Sequence, residues 1–228
     1  MIKKTNLVIV AHPDDEILGF GGTGAKLVQD GELVQPVILS SAVDARSKKP
    51  RHDELLEDIE SANKRVGFEN PILGDFPNLR LNNVDTVDLV KFIEKKIIEF
   101  NPNRIFTHHP SDLNDDHTII SKACLAAAKI FQRNNETECF DAIYFMEIMS
   151  SSDWSTYPIN GAYMPNMYVN IEDHLSLKIE ALKCYRKVMR KVPHPRSEHA
   201  IKAIAAHRGA QSGFKFAESF QIAYRNLL

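Results

Sequence analysis

The stretch "VIVAHPDDEILGFGGTG", residues Val8 to Gly24, places an imidazole, three carboxylates and four glycines directly after an apolar run. The aliphatic residues 7–11 are typical of a strand buried on both faces of a parallel sheet. Ligands of open α/β sheets bind at the carboxyl ends of the strands, so a functional site is expected just after Ala11. The residues there allow two kinds of site. One is a metal site on His12, Asp14 and Asp15, and the other is a phosphate site on Gly19, Gly21 and Gly24.

The phosphate site has the weaker support, although the three glycines match GxGxxG and Asp44 follows at a suitable distance. In a dinucleotide site the first glycine turns directly off the strand, so that the helix N-terminus meets the pyrophosphate. Here residues 12–18 stand between the strand and the first glycine, and a helix is expected only from about Gly21. The spacing favours the metal site and leaves the glycines for a turn or for close helix packing.

The remaining sequence alternates apolar runs typical of strands with segments of helical periodicity. Further strands are expected at 33–39, 71–73, 104–107, 142–146 and 167–171, and helices at 21–30, 51–66, 86–100, after residue 117 to about 131, 175–192 and 198–211. This order predicts an α/β, Rossmann-like layered fold with a mostly parallel central sheet flanked by helices. No Gly, Ser or Pro linker, repeat or low-complexity tract interrupts the chain, which predicts a single domain over residues 1–228.

The composition excludes several classes of partner. A hydrophobic content of 43% and a charged content of 25% are ordinary for a globular protein. The net charge of −2 comes from 28 basic and 30 acidic residues mixed along the chain, so no nucleic-acid partner is expected. The first apolar stretch ends at Ala11, too early for a signal peptide or a membrane span. We therefore expect no membrane association, a cytoplasmic location, and reduced thiols at the three cysteines.

A second polar loop, "THHPSDLNDDH" at residues 107–117, also follows a predicted strand. A catalytic zinc site needs about three protein ligands and one open position. His12 and one aspartate supply two ligands, and this loop is the best source of the third because it opens on the same edge of the sheet. Taken alone, each loop has a simpler explanation: a single surface histidine in the first, or capping of the following helix by "SDLNDDH" in the second.

Several motifs together resemble the PIG-L or LmbE-like family of metal-dependent N-acetylglucosaminyl deacetylases. "AHPDDE" at 11–16 resembles the opening motif, Arg51 and Glu54 resemble the RxxE motif, and 107–117 resembles the second metal motif. "RGAQSGFKFAESF" at 208–220 resembles the C-terminal signature. The segments "DFPN", "SSDW", "MPNMYVNI" and "PHPRS" resemble a subgroup often associated with bacterial surface-sugar synthesis.

The resemblance implies a role for each matching residue. It makes His12, Asp15 and His117 the ligands of Zn²⁺, with Fe²⁺ or another divalent ion as alternatives in vivo. It makes Asp14 the general base that takes a proton from water and delivers it to the leaving amine, as a carboxylate beside a metal can do. Asp116 and Glu16 are expected to orient neighbouring groups.

The chain departs from the family at Asn114, where many members carry the first histidine of an HxDH motif. The Asn114 amide can donate a hydrogen bond to an oxyanion but cannot act as an imidazolium acid. The alternative is that it shapes the loop by bonding to nearby backbone. The histidines that could replace the missing imidazole are His108, His109, His194 and His199.

Two residues are candidates for substrate binding, Arg51 and His109. The planar fork of Arg51 suits a substrate hydroxyl or phosphate, and a structural ion pair with Glu54 is the alternative. The aromatic residues of "SSDWSTYP", Trp154 and Tyr157, could stack on a sugar ring or belong to the core.

The expected function is a zinc-dependent hydrolase that removes an acetyl group from a small N-acetylated amino sugar of the GlcNAc type, with a nucleotide link left open. Two alternatives remain. A two-histidine, one-carboxylate site also suits a non-haem iron oxygenase. A non-catalytic sugar-binding protein could keep the metal, although the additional carboxylate of Asp14 argues against a closed structural site. The sequence leaves open the identity of the sugar and whether the chain forms a homo-oligomer.

Overall fold

The computed structural model of the protein describes residues 3–42, 50–134, 138–155 and 161–227, so Asp44 and Tyr157 lie outside the described residues. The strands are β1 (Thr5–Val10), β2 (Leu33–Ile38), β3 (Ile72–Leu73), β4 (Arg104–His108), β5 (Ala142–Met146), β6 (Met167–Asn170) and β7 (Ala217–Arg225). The helices are α1 (Asp15–Gln29), α2 (His52–Val66), α3 (Thr86–Phe100), α4 (Asp115–Ala128), α5 (Leu175–Cys184) and α6 (Glu198–Ser212).

The strands form one seven-stranded sheet in the order β3-β2-β1-β4-β5-β7-β6. The first five strands of that order are parallel, and β7 runs antiparallel to both β5 and β6. Alternate residues of β1 enter different cores: Val8 and Val10 pack in one hydrophobic cluster, and Leu7 and Ile9 in the other. The sheet is therefore covered on both faces, which confirms the predicted α/β, Rossmann-like fold.

Helix α1 begins at Asp15, earlier than the glycine pattern predicted. Its glycines lie inside the helix and allow neighbours to approach closely. A Cβ added to Gly19 would lie 2.8 Å from Cδ1 of Ile148, and one added to Gly22 would lie 2.9 Å from Cδ1 of Ile171. These tertiary contacts outweigh the low helix propensity of glycine. The interpretation as close helix packing is confirmed, and the phosphate site has no turn on which to form.

Two elements near the C-terminus differ from the predictions. Helix α5 ends at Cys184 instead of Val192, because Tyr185 adopts an extended backbone and buries its ring with the hydroxyl donating to Glu16. Strand β7 was not predicted, although it contains the end of the C-terminal motif. The first four residues of β7 are buried and the last three are exposed, so the sequence shows no regular alternation of apolar and polar residues there.

The carboxyl ends of β1 and β4 lie side by side, because these two strands pair directly. The two acid-rich loops therefore leave the sheet at one edge, and each leads into a helix, α1 or α4. The N-termini of both helices point their partial positive charge toward this edge, which favours carboxylates there. Within the described ranges, no helix combines the length and apolar character needed to cross a bilayer.

Candidate metal centre

His12, Asp15 and His117 converge at this edge with one nitrogen or oxygen atom each, and all three side chains are buried. The distances are 3.4 Å from His12 Nδ1 to Asp15 Oδ2, 3.1 Å from His117 Nε2 to Asp15 Oδ2, and 3.3 Å between the two histidine nitrogens. Donor atoms held at about 2.1 Å by a tetrahedral zinc ion are about 3.4 Å apart. The three atoms thus form a triangle of the size that a divalent ion requires.

Three successive acids after Pro13 point in three directions because Asp14 adopts φ of 98° before the helix begins. Asp15, the first residue of α1, turns toward the two histidines. Asp14 lines an adjacent cavity. Glu16 points inward, where it accepts hydrogen bonds from the Asp14 backbone N–H, from Asn63 and from Tyr185. Glu16 therefore orients the backbone of Asp14, and not the side chain of a candidate metal ligand.

Each histidine of the centre has a carboxylate on its other ring nitrogen. His12 Nε2 lies 2.9 Å from Asp116 Oδ2, and His117 Nδ1 lies 3.2 Å from Asp112 Oδ1. Such carboxylate partners fix the tautomer and orientation of a ligating imidazole. Asp116 therefore occupies the orienting position expected of it, and Asp112 is a second partner that the sequence analysis did not single out.

Both carboxylates are themselves anchored. Asp116 accepts the backbone N–H groups of Leu79 at 2.7 Å and Leu81 at 3.1 Å, which connects the segment after β3 to the centre. Asp112 accepts the hydroxyl groups of Ser151 and Ser152. These bonds leave the imidazoles little freedom to rotate.

Asp116→Asn should weaken metal binding about 10- to 100-fold, the usual cost of losing a partner of a ligating histidine. The affinity would be measured by competition with a chromogenic chelator. Asp115→Asn is the matched control, because Asp115 is the exposed neighbour and its carboxylate does not contact either histidine. Equal losses in the two variants would contradict the orienting role of Asp116.

The charges of the centre favour a protonated His117 when no metal ion is bound. Burial opposes protonation of His117, but Asp15 and Asp112 outweigh burial and raise its pKa to about 10. Burial likewise disfavours the Asp15 carboxylate, but His117 and His12 hold its pKa well below the ordinary value. A metal ion can bind His117 Nε2 only after displacing a proton. Calorimetric titration with Zn²⁺ near pH 7 in buffers of different ionisation enthalpy should therefore report proton release, and the affinity should rise with pH.

Asp14 and Arg196 form an ion pair at the wall of the cavity. Asp14 is buried, and its Oδ2 accepts a hydrogen bond from Arg196 Nη1 at 3.0 Å. Arg196 Nε donates to Ser150 Oγ at 2.8 Å. Arg196 lies in the "PHPRS" segment before α6, in which only His194 was considered for a role from the sequence. The pairing is visible only once the chain is folded, because 182 positions separate the two residues.

The cavity has a volume of about 530 Å³ and is lined mainly by polar side chains of the two loops and of residues 78–79, 150–151 and 196. Three of its residues have a positive φ although they are not glycine: Asp14 at 98°, Leu79 at 53° and Ser150 at 72°. Such conformations are costly for residues with a Cβ and concentrate at functional sites. Backbone strain and buried charge therefore mark the same cavity.

Neither Arg51 nor His109 is among the described residues that line this cavity, so their assignment to substrate binding stays a prediction. The Arg51 side chain is 74% exposed and pairs with Asp53 at 3.1 Å, while its backbone N–H donates to Glu54. The guanidinium of Arg51 thus pairs with Asp53 and not with Glu54, the partner considered from the sequence. His109 is buried between aromatic rings, and its Nδ1 accepts the Ser111 backbone N–H.

The histidines considered as replacements for the missing imidazole also have other positions. His108 is buried, stacks on His117 with ring centroids 3.8 Å apart, and accepts the Ala11 N–H. Burial is the main cause that lowers the His108 pKa to about 3, so this ring is neutral. His194 and His199 are exposed, and neither lines the cavity.

Asn114 is the N-cap of α4, where its side-chain oxygen accepts the Asp116 N–H at 3.0 Å. This is the alternative role that the sequence analysis left open. The cap uses only the oxygen, so the amide group can still donate into the cavity that Asn114 lines.

Asn114→Ala should lower the free energy of unfolding by about 0.5–2 kcal/mol, the usual cost of losing an N-cap. It should also weaken metal binding, because Asp116 and His117 lie on the first turn. Urea unfolding and zinc content measure these effects. A hundredfold loss of turnover per bound zinc, with stability unchanged, would show instead that the amide acts on the substrate.

The residues of the C-terminal motif contact other elements of the fold, and none of them lines the cavity. Glu218 pairs with Lys178 at 2.6 Å and accepts backbone N–H groups of α1. Arg208 makes a two-point contact with Glu147.

Trp154 is 61% exposed and follows the cavity-lining Ser151, so its ring is accessible.

A mostly parallel α/β sheet with a buried two-histidine, one-aspartate group and a neighbouring carboxylate defines a protein built around a candidate metal centre. The family model of PIG-L, described as GlcNAc-PI de-N-acetylase, matches residues 7–128, and the chain belongs to this family. The family resemblance noted in the sequence is confirmed.

Comparisons with individual proteins agree with the family and the fold. The uncharacterized deacetylase YaiS of Escherichia coli K12 is 24% identical over 191 residues, which cover 81% of this chain and 91% of that protein. The crystal structure of GalB, the 4-carboxy-2-hydroxymuconate hydratase of Pseudomonas putida KT2440, has a TM-score of 0.79 at 17% identity, over 99% of this chain and 98% of that one. N,N'-diacetylchitobiose deacetylase from Pyrococcus horikoshii has a TM-score of 0.76 at 20% identity, over 97% and 84%. At such identities the structural likeness shows the fold alone.

Proposed function

We propose that this protein is a Zn²⁺-dependent hydrolase that removes the acetyl group from a small N-acetylated amino sugar. The observation that carries the proposal is the pairing of a metal-sized triangle on His12, Asp15 and His117 with a separate buried carboxylate, Asp14, at the wall of the same cavity. Membership of a family whose relatives include deacetylases supports the choice of reaction.

The residues present fit a divalent ion in both geometry and chemistry. Two imidazoles and one carboxylate with room for a further ligand are the donor set of an open, catalytic zinc site. The carboxylates of Asp112 and Asp116 would hold His117 and His12 in the ligating tautomers. When bound, the ion would polarise the acetamide carbonyl and make water a better nucleophile near neutral pH.

Asp14 is the residue placed to move protons. It would accept a proton as water attacks the acetyl carbon, and deliver that proton to the amide nitrogen as the C–N bond breaks. The products would be acetate and a free amino sugar. Glu16 supports this role by fixing the backbone of Asp14 through a bond of 3.1 Å.

The cavity suits a small polar substrate. Its volume of about 530 Å³ lies within the range of small-molecule sites. The Asn, Asp and Ser side chains of its lining can bind sugar hydroxyls. Trp154 is not a lining residue, but its exposed ring lies three positions after the cavity-lining Ser151 and would be available for stacking on a sugar face.

The proposal is tested by metal analysis of the purified protein, followed by incubation with a panel of N-acetylated sugars, free and nucleotide-linked. Mass spectrometry should detect the loss of one acetyl group, and a chelator should abolish it. Oxygen consumption with a redox-active iron would identify an oxygenase instead. Tight sugar binding without any turnover would identify a binding protein.

A further inference from the structure

Arg196 is the one Arg or Lys among the described residues that line the cavity. Its Nη1 contacts Asp14 and its Nε contacts Ser150, whereas Nη2 makes no hydrogen bond to the part of the chain that the structure describes. Its side chain is 21% exposed, against 2% for Asp14. A guanidinium keeps its charge at any physiological pH and presents its donors in a fixed plane. The cavity therefore contains one permanent cation with a donor left for a ligand.

The backbone around Arg196 is firmly held. Its N–H donates to His194 Nδ1 at 3.0 Å, and its carbonyl accepts the Arg190 N–H at 3.1 Å. The next residue, Ser197, caps α6 by accepting the Ala200 N–H. The guanidinium is thus delivered to the cavity from the end of a helix, which gives it the rigid support that a site residue needs.

The cavity lacks the positive group that resemblance to the family would place at position 114. Asn114 is neutral and uses its side-chain oxygen as a helix cap. His108 is stacked on His117 with both rings buried. We infer that Arg196 supplies this missing charge and stabilises the oxyanion formed when water attacks the acetamide. The inference rests on the proposed function.

The contact with Asp14 explains how Arg196 can balance a negative charge both before the reaction and in the oxyanion. Before reaction, the carboxylate of Asp14 balances the charge of Arg196 at 3.0 Å. When Asp14 accepts the proton of the attacking water, it becomes neutral. At the same moment the former carbonyl oxygen of the substrate becomes negative, so the charge of Arg196 is released from one partner as the next one forms. The oxyanion then collapses, the C–N bond breaks and Asp14 returns its proton to the amine.

The test compares Arg196→Ala with Arg190→Ala, a control that removes an exposed cation of the same loop without touching the cavity. Arg196→Ala should lower kcat about 100- to 1,000-fold with a smaller change in KM, the usual effect of losing an oxyanion donor. Zinc content should match that of wild type. The melting temperature should fall, because the variant leaves the buried carboxylate of Asp14 without its cation, so kcat is compared well below that temperature. Added guanidinium, at concentrations well below those that unfold the protein, should restore part of the activity of Arg196→Ala only.

A second variant tests whether a positive group at position 114 can replace the positive charge lost at position 196. Asn114→His in the Arg196→Ala background should recover at least about tenfold in kcat, because an imidazolium would return positive charge to the site. Its activity should fall at alkaline pH as the imidazole loses its proton. If the double variant does not fold, guanidinium rescue alone decides.

Two outcomes would overturn the inference in an enzyme that is otherwise active: a kcat of Arg196→Ala within about threefold of wild type, or a large loss that neither guanidinium nor Asn114→His relieves. Both would leave the proposed function intact. A wild-type protein that deacetylates no substrate of the panel would overturn the proposed function together with the inference.

Discussion

Asp14→Asn should lower turnover about 100- to 10,000-fold, the usual range for losing a positioned acid or base, while bound zinc stays nearly unchanged. The reason is geometric. Asp14 and Asp15 both line the cavity, but only Asp15 supplies an oxygen within 3.4 Å of both histidine nitrogens, whereas Asp14 accepts a hydrogen bond from Arg196. An amide at position 14 keeps the shape of the side chain and cannot take the proton of water. The measurements are kcat on an N-acetylated sugar that the wild type deacetylates, and zinc per chain.

Asp15→Asn is the matched comparison, because it changes one adjacent carboxylate in the same way. It should reduce zinc content as well as turnover, since Asp15 Oδ2 is a corner of the metal triangle. If Asp14→Asn and Asp15→Asn lost zinc to the same extent, the division into base and ligand would be wrong. If Asp14→Asn kept full turnover per bound zinc, Asp14 would not be the base.

Local pattern was sufficient to predict most of the fold. Helix α3 was predicted at 86–100, where the structure has Thr86–Phe100, because its apolar face repeats at helical spacing and Pro102 follows. The length of helix α5 was overestimated because no local sequence signal marks its end. The helix ends where Tyr185 turns away to reach Glu16, 169 positions earlier. Elements whose limits depend on long-range contacts are those that sequence periodicity cannot delimit.

The same distinction applies to the site. The candidate ligands His12 and Asp15 lie with Asp14 in one four-residue stretch, and His117 could be placed because both loops follow strands of one parallel sheet. Arg196 could not be found in this way, because no strand end or spacing connects it to Asp14. Arg51 and His109 were assigned from motif and residue type alone, and neither lines the cavity. Strand-end position placed the two loops, but it did not distinguish the cavity-lining residues from His109, which directly follows β4.

The buried pair Lys178–Glu218 is the main polar connection between α1, α5 and β7. The Lys178 ammonium donates to Glu218 Oε1 at 2.6 Å and to the Leu18 carbonyl at 2.7 Å. The carboxylate accepts the N–H groups of Gly22 at 3.0 Å and Thr23 at 2.6 Å. Both charges therefore contact the backbone of the helix that begins at Asp15. Because the glycines of α1 bring these groups within reach, packing and charge stabilise the same contact.

Lys178→Met should lower the free energy of unfolding by about 3–5 kcal/mol, because it leaves the carboxylate of Glu218 buried without its cation. The double variant Lys178→Met/Glu218→Gln should lose less, since the amide oxygen can still accept a backbone N–H and no net charge stays buried. Urea unfolding gives both values. Lys215→Met is the control: it removes the exposed ion pair with Glu172, whose partners are 66% and 41% exposed, and should leave stability unchanged. A single variant no less stable than the double one would mean that the buried charge of Glu218 is balanced by the N-H groups of α1 alone.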